Sequence, residues 1–233
     1  LTNSKGFPTN AIYGFTTMLI KLVRDLDPDY AVVAFDLKGP TVRHEEYGDY
    51  KATRKPMPDD LIPQVPRVKD VIRAFSICVL EKQGVEADDL IGTLVVQARK
   101  KGWRTAIVSG DKDLMQLVGD DVHLVDTMKD KIFDAAAVKE KFGVGPDKVV
   151  EILGLMGDPS DNIPGVPGIG PKTAQRLIEE YGTVEEVIAQ SENLRNIKLR
   201  ESFRKYADQA RLSRKLALIR TDIELDFDLQ SAA

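Results

Sequence analysis

The chain has 233 residues, 42% of them hydrophobic, and its 33 Lys and Arg against 37 Asp and Glu leave a net charge of −4. That length and apolar fraction support a sizeable core and exclude a disordered chain. Cys78 is the only cysteine, which excludes disulfides within the chain and cysteine-based zinc sites, and no apolar run reaches the roughly 18 to 20 residues of a membrane span.

The start, Leu1 to Gly6, lacks the charged and apolar regions of a signal peptide, so the expected location is the cytosol and no membrane partner is expected. Cys78, with no histidine near it in sequence, is expected to be an apolar filler.

Taken in chain order, Ile12, Phe15, Leu19, Leu22, Val23 and Leu26 recur at helical spacing and predict an amphipathic helix over 9–26, with Thr9 or Asn10 as its cap. Tyr30 to Phe35 is a short, β-branched apolar run that predicts a strand buried on both faces, with Asp36 at its C-terminal end. Residues 37–60 hold glycine, proline, aromatic and basic residues without apolar periodicity, and are expected to form a long mobile excursion. A helix is expected up to about Phe75. Leu90, Ile91, Leu94, Val95 and Ala98 mark another, stopped by Gly102. Arg104 to Ser109 and Val122 to Val125 predict two more strands.

Strand, helix, strand alternation implies a parallel α/β sheet whose ligands gather beyond the carboxyl ends of the strands. From about Asp134 the strand signals stop, and short helices broken at Gly143, Gly157, Gly182 and near Asn193 follow. The expected organisation is therefore an α/β core over 1–133 and a helical region over 134–233, without a long linker or an internal repeat.

The informative acids stand at element ends: Asp36 after a strand, Glu86, Asp88 and Asp89 at a helix start, Asp111 and Asp113 after another strand, then Asp158 and Asp161. Any one of them fits an ordinary cap or turn residue. Together they would crowd one rim with anions, which repel unless cations sit among them. Carboxylates without Cys or His suit hard cations such as Mg²⁺ or Mn²⁺, and two such ions about 4 Å apart suit phosphodiester hydrolysis.

Gly165-Val-Pro-Gly168-Ile-Gly170-Pro-Lys172-Thr173-Ala lies just after Asp161 and opens a helix with Pro171 in its first turn. Its glycines let backbone approach a ligand, so amide N–H groups and the helix start can grip a phosphate. A lone Gly-x-Gly usually marks only a tight turn. Downstream, Arg195, Lys198, Arg200, Arg204, Lys205, Arg211, Arg214, Lys215 and Arg220 face only Glu201 and Asp208, a local excess of +7 that is expected to make one end of the molecule positive. Alone, that run also fits a solvated helical face.

The segments Gly6 to Gly14, Gly84-Val-Glu-Ala-Asp-Asp89, Gly110-Asp-Lys-Asp113, Met156 to Gly165 and Gly168 to Ala174 resemble, in order and from Leu1 to about Asp228, the 5′ nuclease or flap endonuclease superfamily, closest to the N-terminal 5′ to 3′ exonuclease domains of bacterial DNA polymerase I. The resemblance implies a PIN-like parallel-sheet core, a helical arch and a C-terminal helix-two-turn-helix at about 148–182. It implies Asp36, Glu86 and Asp88 as ligands of a first Mg²⁺ or Mn²⁺, Asp111, Asp113 and Asp161 as ligands of a second, and Asp89 and Asp158 as further acids of the bacterial branch.

The excursion with Tyr47, Lys51, Arg54 and Lys55 corresponds to the arch under which a 5′ single strand passes. Lys51 matches the lysine that polarises the scissile phosphate, and Arg54 is carried with it as a catalytic residue. Gly165, Gly168, Gly170, Lys172 and Thr173 match the turn that binds duplex backbone, where family members hold K⁺. The implied partner is DNA with a 5′ flap or end beside duplex, the implied products are a 5′-phosphate and a 3′-hydroxyl, and the implied setting is replication and repair in the bacterial cytosol, as a monomer or ahead of a polymerase domain.

Family members begin with a strand carrying an Asp-Gly pair that supplies a further ligand of the first metal, and Leu1 stands downstream of it. That departure motivates an alternative expectation, a DNA-structure-binding module with weakened catalysis. A PIN-type ribonuclease shares the acidic rim but generally lacks the glycine turn and the basic helices.

Overall fold

The computed structural model describes residues 1–227 and 232. The end of the resemblance, at Asp228, lies outside the described residues. Helix α1 (Asn10–Leu26) places Leu19 against Val68, Ile72 and Ile77, and Asp27 ends it in the left-handed region. Thr9 occupies the cap position without a side-chain cap bond. Gln64, only 1% exposed at the start of α3 (Gln64–Ala74), takes over, its Oε1 accepting from the N–H groups of Ala11 at 2.9 Å and Ile12 at 3.3 Å. A buried amide thus satisfies donors that a helix start leaves open.

Strands β1 (Val32–Ala34) and β2 (Cys78–Leu80) pair in parallel, as do β3 (Thr105–Val108) and β4 (Val122–Asp126). β5 (Lys131–Phe133) joins β4 antiparallel, and among the described residues the strands form two sheets, β1-β2 and β3-β4-β5. The parallel α/β architecture is as expected. β2 and β5 are additions: neither lies in an apolar run as long as Tyr30 to Phe35, which marked β1. Cys78 is half-buried within β2.

The excursion after Asp36 is more ordered than its composition suggests. It contains α2 (Val42–Glu46), opened by a capping box between Thr41 and His44, and it buries Arg43 and Tyr50. Helix α4 (Ala87–Lys100) begins after Glu86 and ends before Gly102, and it precedes β3.

Helices α5 (Ala135–Phe142), α6 (Val149–Met156), α7 (Pro171–Tyr181), α8 (Val184–Ala189) and α9 (Ile197–Ala217) make the second half. The expected stops hold: Gly143, Gly157 and Gly182 follow α5, α6 and α7. Asp134, Thr183 and Asn196 cap α5, α8 and α9 through their side chains. α9 kinks at Tyr206, whose φ is −123°. Among the described residues no helix is long and apolar enough to cross a membrane.

Gly157 sits where few residues can. Its φ of 74° and ψ of −177° lie in a region essentially reserved for glycine, and a Cβ there would stand 2.4 Å from the Ile163 carbonyl oxygen. Gly157→Ala is expected to cost about 3 kcal/mol, read as a fall in melting temperature on the order of 10 °C. A melting point within 2 °C or so of the parent would contradict this account of the turn.

Candidate active site

Four stretches of chain bring acids to one place. Asp36, two residues beyond β1, accepts the N–H of Ala87 at 2.7 Å and so ties the end of the strand to the first turn of α4. That turn carries Glu86, Asp88 and Asp89, with Glu86 4% and Asp89 3% exposed. Beyond β3, Asp111 accepts the N–H of Asp113 at 2.9 Å, which folds the two carboxylates into one tight turn, and Asp113 is buried. Asp158 and Asp161 come from a small loop closed by the paired backbones of Asp158 and Ile163.

The carboxylates feel one another. Burial first, then the charge of Asp111, pushes the Asp88 carboxyl up to about 7, with Asp36 and Glu86 adding to it and Lys51 opposing. Burial likewise pushes Asp113 up to about 6, opposed by Lys112 and reinforced by Asp111, Asp158 and Asp161. Acids whose pKa values are raised by neighbouring anions mark a place that gains from cations. The donors are all carboxylate oxygens, a set that fits a hard divalent ion.

Cations of the chain itself reach into the cluster. Lys51 Nζ lies 2.9 Å from Glu86 Oε2 and 3.7 Å from Asp161 Oδ2, and Arg54 donates to Asp161 Oδ1 at 2.5 Å. Among the described residues no three of the His, Cys, Asp and Glu side chains close into a ready metal cage. Lys51 is seated with a φ of 56°, its N–H donated to the Asp161 carbonyl at 2.9 Å, while Asn162 Nδ2 donates to the Asp49 carbonyl at 2.7 Å. The excursion is therefore latched at Asp49 and Lys51 to the Asp158–Asp161 loop and the Asn162 beside it.

Among the predicted residues, two acids stand apart from the rest. Both oxygens of Asp89 are taken by Arg43 at 2.7 Å. Asp158 pairs with Lys112 and accepts from Ser160, contacts that hold its carboxyl below the usual range although burial works against them. Lys55 is exposed and, among the described residues, makes none of these ion pairs.

Sequence reasoning missed Tyr50, which is 3% exposed and whose single hydroxyl hydrogen lies between Glu86 and Asp161, each oxygen 3.1 Å away. Burial, then those two carboxylates, push its phenol well above the ordinary range, so it stays protonated as a donor. Arg43, Thr41 and Lys112 were missed as well. The Thr41-x-x-His44 spacing, a cap signal inside the excursion, was the available clue.

Gly165 follows the acid loop and is fastened at both polar groups: its N–H donates to Ser213 Oγ at 3.0 Å and its carbonyl accepts from Gln209 at 2.6 Å. Val166 and Ile169 are buried, while Gly168, Gly170 and Lys172 are exposed and Thr173 is half-buried, so the turn presents backbone outward over an apolar foot. α7 opens with Pro171, which has no N–H, and without a side-chain cap. The Thr173 N–H turns back to the Gly170 carbonyl at 3.0 Å, so in this first turn it is the Lys172 N–H that can face an anion.

The basic run is less positive than its count suggests. Arg204 pairs with Glu192, Arg211 with Glu185 and Asp208, Arg214 with Glu151, Lys215 with Glu46 and Arg220 with Asp222. Glu46, Glu151, Glu185, Glu192 and Asp222, all outside a window over 194–220, answer these five of the nine cations.

Residues 1–143 match the model of the 5′-3′ exonuclease N-terminal resolvase-like domain, and residues 144–233 that of the 5′-3′ exonuclease C-terminal SAM fold. DNA polymerase I of Bacillus caldotenax is 44% identical over 100% of this chain, which spans 27% of that protein's length. The 5′-3′ exonuclease of Aquifex aeolicus is 42% identical, over 97% of this chain and 77% of its own. The fold is shared with the T5 5′-exonuclease solved with zinc, at 22% identity and a TM-score of 0.77 over 88% of this chain and 80% of that one. It is shared too with the T5 flap endonuclease solved with DNA and metal ions, at 23% identity and a TM-score of 0.73 over 94% and 83%. With both halves matched and the stand-alone exonuclease covered over most of its length, the chain belongs to the 5′-3′ exonuclease family.

Proposed function

We propose that this chain is a divalent-metal-dependent 5′ nuclease that hydrolyses DNA phosphodiester bonds where a 5′ single strand meets duplex. The observation that carries the reading is the meeting of carboxylates from four chain segments beneath Lys51 and Arg54, next to an outward-facing glycine turn. Asp36, Glu86 and Asp88 would hold one Mg²⁺ or Mn²⁺ ion, and Asp111, Asp113 and Asp161 a second. When bound, such ions lower the pKa of water and offset charge on a reacting phosphate.

The chain's own residues do the rest. Lys51 and Arg54, at the base of the arch, supply positive charge where a phosphate would enter, and the Tyr50 phenol holds Glu86 and Asp161 in place. The exposed backbone of Gly168, Gly170 and Lys172 grips duplex backbone through N–H groups without reading bases, while the N–H groups of Gly165 and Thr173 are used inside the protein. The turn's exposed carbonyls suit K⁺ beside a phosphate. Primer or flap removal in replication and repair, in a monomer or ahead of a polymerase domain, is the biological setting that follows.

A labelled 5′-flap duplex incubated with the chain and Mg²⁺ or Mn²⁺ tests the reading. Expected are short 5′-phosphorylated products that vanish on chelation. Tight flap binding with no product under either metal would sink it in favour of a DNA-structure-binding module.

A further inference from the structure

The busiest side chain near the cluster belongs to none of the roles above. Arg43, in α2, is 8% exposed. Its Nη1 reaches Asp89 Oδ2 at 2.7 Å and Glu86 Oε2 at 3.4 Å. Its Nη2 donates to Asp89 Oδ1 and to the Leu218 carbonyl, both at 2.7 Å, and its Nε donates to the Leu216 carbonyl at 2.9 Å. A guanidinium has five N–H groups in a rigid fork. Here four hydrogen bonds go to Asp89 and the Leu216 and Leu218 carbonyls, and Glu86 faces Nη1 as an ion-pair partner.

Those acceptors belong to two distant segments. Glu86 and Asp89 open α4, while Leu216 and Leu218 end α9 and begin the strap that follows it. The strap is fastened to α4 independently: the Arg220 N–H donates to Asp89 Oδ1 at 2.9 Å and the Ile223 N–H to Thr93 Oγ1 at 3.2 Å. It also lies flush on the helix, since a Cβ at Gly92 would stand 2.6 Å from Ile219 Cγ2 and 2.9 Å from the Arg220 carbonyl oxygen. Lys215 adds an ion pair with Glu46 at the end of α2.

We propose that Arg43 is a positioning residue: it fixes Glu86 and Asp89 against the strap, so that the first turn of α4 offers its carboxylates to a metal in a single arrangement. Asp89 then serves as the anchor of Arg43 rather than as a ligand. The inference rests on the reading that this cluster holds a divalent metal. Groups that orient ligands in this way are worth about 10- to 100-fold in metal affinity or activity.

Arg43→Lys and Arg43→Met test it in the full chain, with Mn²⁺ alone as the calorimetric probe, alongside flap cleavage and melting. Lys keeps the buried charge but cannot reproduce the fork. R43K is expected to weaken Mn²⁺ binding about tenfold and lower kcat by a similar factor, with KM for the flap within about threefold of the parent.

R43M separates positioning from charge. Removing a cation beside carboxylates would by electrostatics alone tighten Mn²⁺, and so would release of Asp89 were it a masked ligand. Lost positioning weakens it, and weaker binding by folded R43M is the expected result. Unchanged or tighter Mn²⁺ binding with parent-like kcat overturns the proposal, as does a drop in melting temperature with no change in either. If R43M unfolds at the assay temperature, R43K decides alone by its kcat. A parent chain that neither binds Mn²⁺ nor cleaves would instead sink the reading of the site itself.

Discussion

Alanine at Asp111 or Asp113 is expected to lower flap cleavage on the order of 10³-fold while leaving duplex affinity near that of the parent. Asp113 is 9% exposed and linked to Asp111 through its own N–H, so the pair acts as one feature of the turn after β3. Burial raises the Asp113 carboxyl to about 6, with Lys112 opposing and Asp111, Asp158 and Asp161 adding to it. On the proposed reading, removing one anion takes a ligand from the metal site without touching the glycine turn or α9. Binding therefore survives, or rises slightly as repulsion of phosphate falls. Cleavage under Mg²⁺ retained by both variants would remove these residues from the metal site.

Lys51→Met should move two measurements in opposite directions. The ammonium, 2.9 Å from Glu86 and 3.7 Å from Asp161, now shares the oxygens a divalent ion would use. It also lies 4.9 Å from the centre of the Tyr50 ring, so methionine keeps an apolar stem there and loses the charge with its hydrogen bond to Glu86. With that charge gone, Mn²⁺ should bind roughly tenfold more tightly by calorimetry. Cleavage should nonetheless fall by about 10²-fold or more, because a phosphate in the site loses its positive partner. Weaker Mn²⁺ binding by K51M would refute the competition, and unchanged kcat would refute the role toward phosphate.

How much of this was readable beforehand depended on how local the signal was. α1 and α4 announce themselves through apolar spacing, β1, β3 and β4 through short apolar runs, and the ends of α5, α6 and α7 through Gly143, Gly157 and Gly182, because those signals act within a few residues. Asp36 and Asp111 could be placed beyond strand ends for the same reason. Tyr50 and Arg43 could not be assigned, since their partners Asp161 and Leu218 lie more than a hundred residues away. The pairing of Arg211 with Glu185 and of Lys215 with Glu46 was hidden likewise, so the basic run looked more positive than it is. β2 and β5 escaped because neither lies in an apolar run as long as the one from Tyr30 to Phe35 that marks β1.

The core that contains Ile107, Leu114 and Leu124 from the sheet half also contains Leu216, Ala217 and Ile219 from the last helix and its strap. The sheet half therefore cannot finish burying its apolar surface until the chain has been made to about residue 219. The two matched segments are consequently not interchangeable parts. A hybrid joining residues 1–143 of this chain to the second half of a relative would have to match both the strap and the core it completes, and a nascent chain stalled before the strap would carry the acids without a settled site.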